Sequence, residues 1–283
     1  MNSPSKNIIR AITPRPVRNW LRSPNKSLGW MRNEARYLVG ANRLIEIRPG
    51  WTLRCHPTAY DFAYYAQIND PEQVTEFDGF ISVCRSGMML FDIGAHFGLF
   101  SLATLHYGGL GARAVAVDPS PTAARMMKIQ ARLNGVVERI EIVQAAVGHQ
   151  DGWQEMVATG VNGAGYFVPP EDHTGREVCR TRAITLDALV EEQKQTPTHV
   201  KIDVEGSEAA VLRGGSKLLS SDEPPILLLE LHNEIIKNHS GDPCETLTLL
   251  RQFGYETFSS DMLPLSEDYI LSKPLVRVIC RKR

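Results

Sequence analysis

The stretch from Met88 to Leu105, MMLFDIGAHFGLFSLATL, constrains the fold more than any other part of the chain. It opens as a short apolar run, Met88 to Phe91, of the kind a buried parallel strand shows. It then turns on Asp92, Gly94 and Gly98 and continues as an apolar, helix-favouring segment. Glycine permits a tight turn without a Cβ penalty and lets a ligand approach the backbone. A helix starting just past such a turn points free N–H groups at whatever sits there. The stretch therefore reads as strand, ligand loop, helix.

The pattern is Asp-x-Gly-x-x-x-Gly, with the acid before the first glycine. Pyrophosphate-binding loops instead carry Gly-x-Gly-x-x-Gly. A carboxylate at a strand end repels a diphosphate and suits an ammonium or a sulfonium, the charge pattern of S-adenosylmethionine. The plainer reading is a strand–helix turn of any α/β protein.

At 283 residues the chain could hold one or two domains, α/β folds of this length often forming one, and its 43 % hydrophobic and 22 % charged residues are ordinary for a globular protein. No apolar run reaches the length of a membrane-spanning helix. The first residues, MNSPSKNIIRAITPRPVRNWLR, lack an apolar core and are not read as a signal peptide. The five cysteines, Cys55, Cys84, Cys179, Cys244 and Cys280, are scattered, with no Cys-x-x-Cys pair. Neither a zinc site nor a disulfide framework is expected, and a reducing cytoplasm fits. Charge is uneven: residues 1–54 hold eleven Lys/Arg and two Glu, a net of +9, which leaves −10 for the rest of a chain whose total is −1. Such a basic arm suits anionic lipid, nucleic acid or an acidic partner, the alternative being a solvated extension. Trp20, Leu21, Leu28, Trp30 and Met31 interleave with the charges, which keeps peripheral contact with an anionic membrane surface open beside the solvated extension and ranks lipid above nucleic acid. No nucleic-acid motif appears, so no nucleic-acid partner is expected.

Residues 1–42 read as the basic arm, with helical pieces at Arg15–Leu21 and Leu28–Val39 between prolines. Residues 43–87 read as an N-terminal cap. In it, RLIEIRPGWTLRC alternates around a Pro-Gly turn as a hairpin, and helices follow at Asp61–Gln67 and Pro71–Val83. Residues 88–283 read as the ligand-binding domain. ARAVAVD (112–118) is its second strand, followed by a helix over Pro119–Asn134. RIEIVQAAV (139–147) is the third. Strands alternating with helices imply right-handed βαβ units and a parallel sheet. Asp151–Arg182 breaks the rhythm and reads as an antiparallel excursion on the substrate side, with strand pieces at Gln154–Ala158, Gly165–Val168 and Val178–Thr181. THVKIDVEG (198–206) is the fourth core strand and PILLLEL (225–231) the fifth. Cys244–Phe253 is a helix. Tyr255–Ser259 and Leu275–Cys280 pair as a terminal antiparallel hairpin.

In open α/β sheets the ligand lies outside the C-terminal strand ends. That rule gathers Asp92, Asp118, Gln144–Ala146, Asp203 with Glu205, and Glu230 with His232. Asp118 lies 20 positions past Gly98, where a carboxylate can accept both hydroxyls of an adenosine ribose.

FDIGAHFG, AVDPSP, KIDVEGSE and LLLELH, in that order and spacing, resemble the FkbM family of S-adenosylmethionine-dependent methyltransferases over roughly Pro71 to His232. The resemblance implies the class I methyltransferase fold, a Rossmann-like, seven-stranded, mostly parallel sheet of order 3-2-1-4-5-7-6 with helices on both faces. It implies S-adenosylmethionine as cofactor and O-methylation of a hydroxyl on a sugar, glycolipid or natural product. The expected cofactor residues are Asp92, Gly94, Ala95, His96, Phe97, Gly98, Asp118, Pro119, Gln144, Ala145 and Asp203. The chain departs from the commonest family pattern at His96, where Asn is frequent, and Asp118, where Glu is frequent. Both keep a hydrogen-bonding group.

An alcohol attacks a methyl sulfonium only as its proton leaves, so a positioned base is expected. His232, Glu205, Asp203 and His96 are the candidates, His232 first. A metal-free site is preferred over one in which Asp203, Glu230 and a third oxygen ligand hold Mg²⁺, because no clustered ligand motif is visible. Two rivals remain at this level. One is a membrane-surface binding protein that keeps the fold without turnover. The other is a nucleotide-dependent oxidoreductase, which the missing Gly-x-Gly-x-x-Gly disfavours.

Overall fold

The computed structural model describes residues 24–158, 165–166 and 178–282. Its centre is a seven-stranded sheet built from β3 (Met89–Ile93), β4 (Arg113–Val117), β5 (Ile140–Val143), β10 (His199–Ile202), β11 (Ile226–Leu231), β12 (Tyr255–Phe258) and β13 (Val276–Lys282). Across the sheet the strands lie β5-β4-β3-β10-β11-β13-β12. Counted along the chain that order is 3-2-1-4-5-7-6. The first five strands are parallel, and β13 runs antiparallel to both β11 and β12. This is the class I methyltransferase sheet expected from the motifs, and the terminal hairpin is its antiparallel edge. The order reverses between β3 and β4 on one side and β10 on the other, so the cleft of such a sheet opens at the β3 and β10 tips.

Strand alternation splits the core into two layers. Leu90, Ala114, Ala116, Ile140, Leu228 and Ile279 face one side. There they meet Phe77 and Phe80 of α2 (Pro71–Val83), Leu99 and Leu102 of α3 (Leu99–Tyr107), and Met126 and Met127 of α4 (Pro121–Leu133). Phe91, Ile93, Val115, Val117, Val200, Ile202 and Leu229 face the other side. Leu186 and Leu189 of α5 (Leu186–Gln193) and Val211 and Leu212 of α6 (Glu208–Gly214) cover them. Helices begin where sequence chemistry predicts. Asp70 caps α2 by accepting from Glu72 and Gln73 N–H, with Pro71 at the first position. Ser120 and Thr185 cap α4 and α5 in the same way.

The cap comprises the antiparallel pair β1 (Arg43–Arg48) and β2 (Trp51–Cys55) and a helical stretch over residues 57–69 with a π-turn at Tyr60–Tyr64. α1 (Pro24–Leu38) packs against the start of that stretch and covers the second of the two helical pieces expected in the arm. The piece expected at Arg15–Leu21 lies outside the described residues.

One expectation is corrected. The run 139–147 is not one strand. β5 ends at Val143, whose carbonyl takes the Asp118 N–H. After Gln144 and Ala145 the chain re-enters a separate four-stranded sheet as β6 (Ala146–Gly148). That sheet has the order β6-β9-β7-β8, with β7 (Gly152–Ala158), β8 (Gly165–Tyr166) and β9 (Val178–Thr185). Ala145, Ala146 and Val147 are all buried, so the apolar run continues across the bend and hides it. The expected antiparallel excursion is this second sheet. Its connections at 159–164 and 167–177 lie outside the described residues. Two short helices, α8 (Asn233–Asn238) and α10 (Glu267–Ser272), were not anticipated. α7 (Ser216–Leu219) is a further short helix, and α9 (Cys244–Gln252) is the helix expected over Cys244–Phe253.

Candidate active site

The β3–α3 loop passes hard against the tip of β10. Gly94 sits at φ +80°, and a Cβ there would lie 1.8 Å from the Asp203 carbonyl oxygen. Its N–H and that of Ala95 both donate to the Val117 carbonyl, at 2.9 and 3.0 Å. The Asp203 N–H donates to the Ile93 carbonyl at 3.0 Å. The first core strand is thus tied to both neighbours where the ligand loop begins. Gly98, at φ +77°, opens α3, with Met127 crowding its α-carbon. Between the glycines His96 also takes a positive φ, 49°, and its ring stacks on Phe97 at 3.9 Å. The buried Tyr64 hydroxyl donates to the Phe97 carbonyl, which fastens the loop to the cap.

Asp118 ends β4 beside this loop. One carboxylate oxygen accepts the His96 N–H at 3.0 Å and the other the Ser120 N–H at 2.8 Å. Burial pushes its carboxyl up to about 7 against those two hydrogen bonds. A carboxylate offers about four acceptor positions, so two stay open. Pro119 is half-buried beside it. Ala145 is buried, whereas Gln144 is exposed and borders a groove of about 490 Å³ between Tyr37 of α1 and the Pro121–Arg132 face of α4.

Asp92 behaves differently from its neighbours. It is 1 % exposed, and one oxygen accepts both the N–H and the hydroxyl of Ser101, at 3.1 and 2.7 Å. Its role is to hold α3 in place under the loop. The alternation of β3 turns it toward α3 rather than outward, which a strand-end position does not reveal. Its second oxygen is buried with no partner. Burial raises its pKa, opposed chiefly by Lys201, which pairs with it in register on β10.

Beyond β10 and β11 lies a dense titratable cluster. His232 is 8 % exposed, and its Nδ1 lies 2.8 Å from a carboxylate oxygen of the fully buried Glu208. Its Nε2 points to Glu205 at 3.6 Å and Asp203 at 3.9 Å. Lys201 donates to Asp203 at 3.1 Å. Burial depresses the His232 pKa, but the Glu208 hydrogen bond and the Asp203 and Glu205 charges outweigh it and take it up to about 9. Asp203 is held low by Lys201 and His232 in spite of burial. Glu205, at φ 53°, is raised by burial. Glu230 accepts from Arg277 at 2.6 Å, shares a side-chain hydrogen bond with Asp203, and is pushed up to about 8 by burial and by the Asp203 and Glu76 carboxylates.

The expected catalytic trio His232, Glu205 and Asp203 therefore converges. Their ligating atoms lie within 4.8 Å of one another, a geometry that could also receive a metal ion. Glu230, offered earlier as a metal ligand, is bound to Arg277 instead. Lys201 and Glu208 were not anticipated. Both stand in the KIDVEGSE motif beside residues that were, and a lysine inside a buried strand run signals unseen carboxylate partners.

The residues present fit a cationic nucleoside donor. The loop glycine leaves no room for a side chain, a buried carboxylate keeps open acceptors, and carboxylates outnumber cations around the β10 tip. A family model described as the methyltransferase FkbM domain matches residues 92–257. No curated protein gives a significant match. Among solved structures, a methyltransferase FkbM from Methylobacillus flagellatus KT is 17 % identical over 66 % of this chain and 47 % of its own, with a TM-score of 0.41. This chain thus spans about half the length of that protein. An O-methyltransferase from Bacillus cereus, in complex with SAH, is 16 % identical over 78 % of this chain and 84 % of its own, with a TM-score of 0.40. A putative rRNA-methylase from Clostridium thermocellum is 10 % identical over 76 % and 96 %, with a TM-score of 0.45.

Proposed function

Because this chain belongs to the FkbM methyltransferase family, we propose that it is an S-adenosylmethionine-dependent O-methyltransferase acting on a hydroxyl of a sugar, glycolipid or natural product. The bound cofactor supplies the electrophilic methyl group. Gly94, Ala95, His96, Phe97 and Gly98 provide its bed, and Asp118 accepts from its ribose. Asp203 receives its methionine end.

The observation that carries the O-methylation reading is the Glu208–His232 pair. Glu208 holds Nδ1 at 2.8 Å and so fixes the ring, leaving Nε2 directed toward the β10 tip. A base must be held in reach of the hydroxyl whose proton it removes, and a carboxylate behind an imidazole stabilises the imidazolium that forms. Lys201 neutralises Asp203, which keeps that carboxylate from competing for the same proton.

The test is incubation with labelled methyl donor and fractionated cell glycolipids and small molecules. Label is expected on a hydroxyl oxygen. His232→Gln is expected to cut turnover by roughly 10²–10⁴-fold, the usual span for a general base, while S-adenosylhomocysteine binding persists. Label on nitrogen or carbon, or a His232→Gln enzyme as fast as the parent at saturating donor, would overturn the reading.

A further inference from the structure

α1 carries two apolar faces, and only one of them is used. Trp30 packs against the core, the fully buried Asn33 donates to Asp61 at 2.8 Å, and the Tyr37 ring meets His56 at a tilt, 4.4 Å between centroids. Glu34 forms a bidentate pair with Arg125 of α4. These contacts seat the helix on the cap. The opposite face presents Leu28 (53 % exposed), Met31 (57 %), Ala35 and Leu38 (80 %), with Val39 (84 %) just past the last turn. The 3-4-3 spacing places these side chains in one stripe along the helix. No described residue covers that stripe. Exposed Arg32 and Arg36 line one edge of it.

We propose that this stripe is a docking face for an anionic lipid bilayer, with α1 lying in the plane of the headgroups. Two observations select that occupant. First, the exposed charge beside the stripe is cationic: Arg32 (4.0 Å from Asp61) and Arg36 border one edge, Glu34 on the other edge is taken up by Arg125, and the 23 residues that precede α1 carry five Lys/Arg and no Asp or Glu. The rest of the molecule is acidic, so attraction to a negative surface is confined to this end. Second, a bilayer surface takes an apolar stripe and a cationic edge together, whereas a nucleic acid gains nothing from exposed leucines. The sequence alone offered Trp30 for this contact. The fold spends Trp30 on the core and supplies Leu38 and Val39 instead. The inference does not depend on the methyl-transfer reading and would hold for a chain without turnover.

The test is co-sedimentation of the full chain with vesicles of phosphatidylcholine, with and without phosphatidylglycerol, over a range of salt. Binding is expected to the anionic vesicles only and to weaken with salt. A Leu28→Ser/Leu38→Ser variant is expected to bind them about 30-fold more weakly, as two half-immersed leucines should. Both side chains are exposed, so an unchanged melting temperature identifies the loss as one of binding. Equal binding to neutral vesicles, or a serine variant that binds like the parent, would overturn the proposal. So would a concentration-dependent dimer that the same variant abolishes, which would make the stripe a contact between copies.

Discussion

Gly94→Ala tests whether the β3–α3 loop and the β10 tip form one unit. An alanine held at φ +80° costs about 1–2 kcal/mol by itself. Its methyl carbon would also stand 1.8 Å from the Asp203 carbonyl oxygen and 2.8 Å from its carbon. Both are backbone atoms, so no rotamer relieves the clash. The carbonyl has to withdraw by more than an ångström, against the Asp203 N–H bond to Ile93, whose loss adds about 1 kcal/mol. Together these give roughly 2–3 kcal/mol, a fall in melting temperature of roughly 5–10 °C for a domain of this size. Asp203 moves with its carbonyl, away from Lys201 and His232, and a misplacement on that scale costs about 100-fold in turnover. Gly135→Ala is the control. Gly135 also has a positive φ, +66°, but nothing lies within 4 Å of its Cβ position, so it bears the conformational cost alone. The readouts are thermal denaturation, calorimetric titration with S-adenosylhomocysteine, and turnover. If Gly94→Ala melts with Gly135→Ala and binds like the parent, the coupling of the two strand tips is refuted.

Two further outcomes follow from the titratable cluster. A base acts only when neutral, and His232 is pushed up to about 9, so kcat/KM should climb with pH through about 9. Glu208→Gln removes a negative charge that favours the imidazolium, so the rising limb should move to lower pH and the plateau fall; a limb that stays in place under steady-state pH profiling would remove His232 as the titrating group. A chelator should leave turnover unchanged, since Lys201 already occupies one Asp203 oxygen and Glu230 is committed to Arg277; a rate lost to chelation and restored by Mg²⁺ would instead assign Asp203, Glu205 and His232 to a metal.

Much of the fold could be read from residues because buried parallel strands announce themselves. MMLF, AVAV and ILLL are apolar runs that stop at an acid, and HVKI, with its buried His199 and Lys201, stops at one too. A strand end of that kind fixes where the chain turns. α2 was read to the residue because Asp70-Pro71-Glu72 supplies a cap, a fixed φ and a favourable charge together. What escaped was what only distance in space creates. The bend after Val143 lies inside an unbroken apolar run. Asp92 and Asp118 look alike in sequence, yet one grips Ser101 and the other the loop, because Asp92 lies inside β3 beneath α3 and Asp118 lies one residue past the end of β4. Glu208 and His232 are 24 positions apart, and nothing in either segment names the other.

The charges under the site explain why so many acids gather there. Asp92, Asp203, Glu76 and Glu230 share Lys201 and Arg277 on one face of the sheet, and Glu205 and Glu208 share His232 at its edge. Three cations cannot balance six carboxylates at low dielectric, so part of the deficit is met by retained protons, with Glu230 at about 8. The rest leaves the β10 tip negative. Such a cleft favours a positively charged donor over its neutral demethylated product by simple Coulomb attraction. The same field raises His232, which would slow the proposed base at neutral pH. Donor selectivity and base strength therefore draw on one set of carboxylates, and substitutions there are expected to change both together.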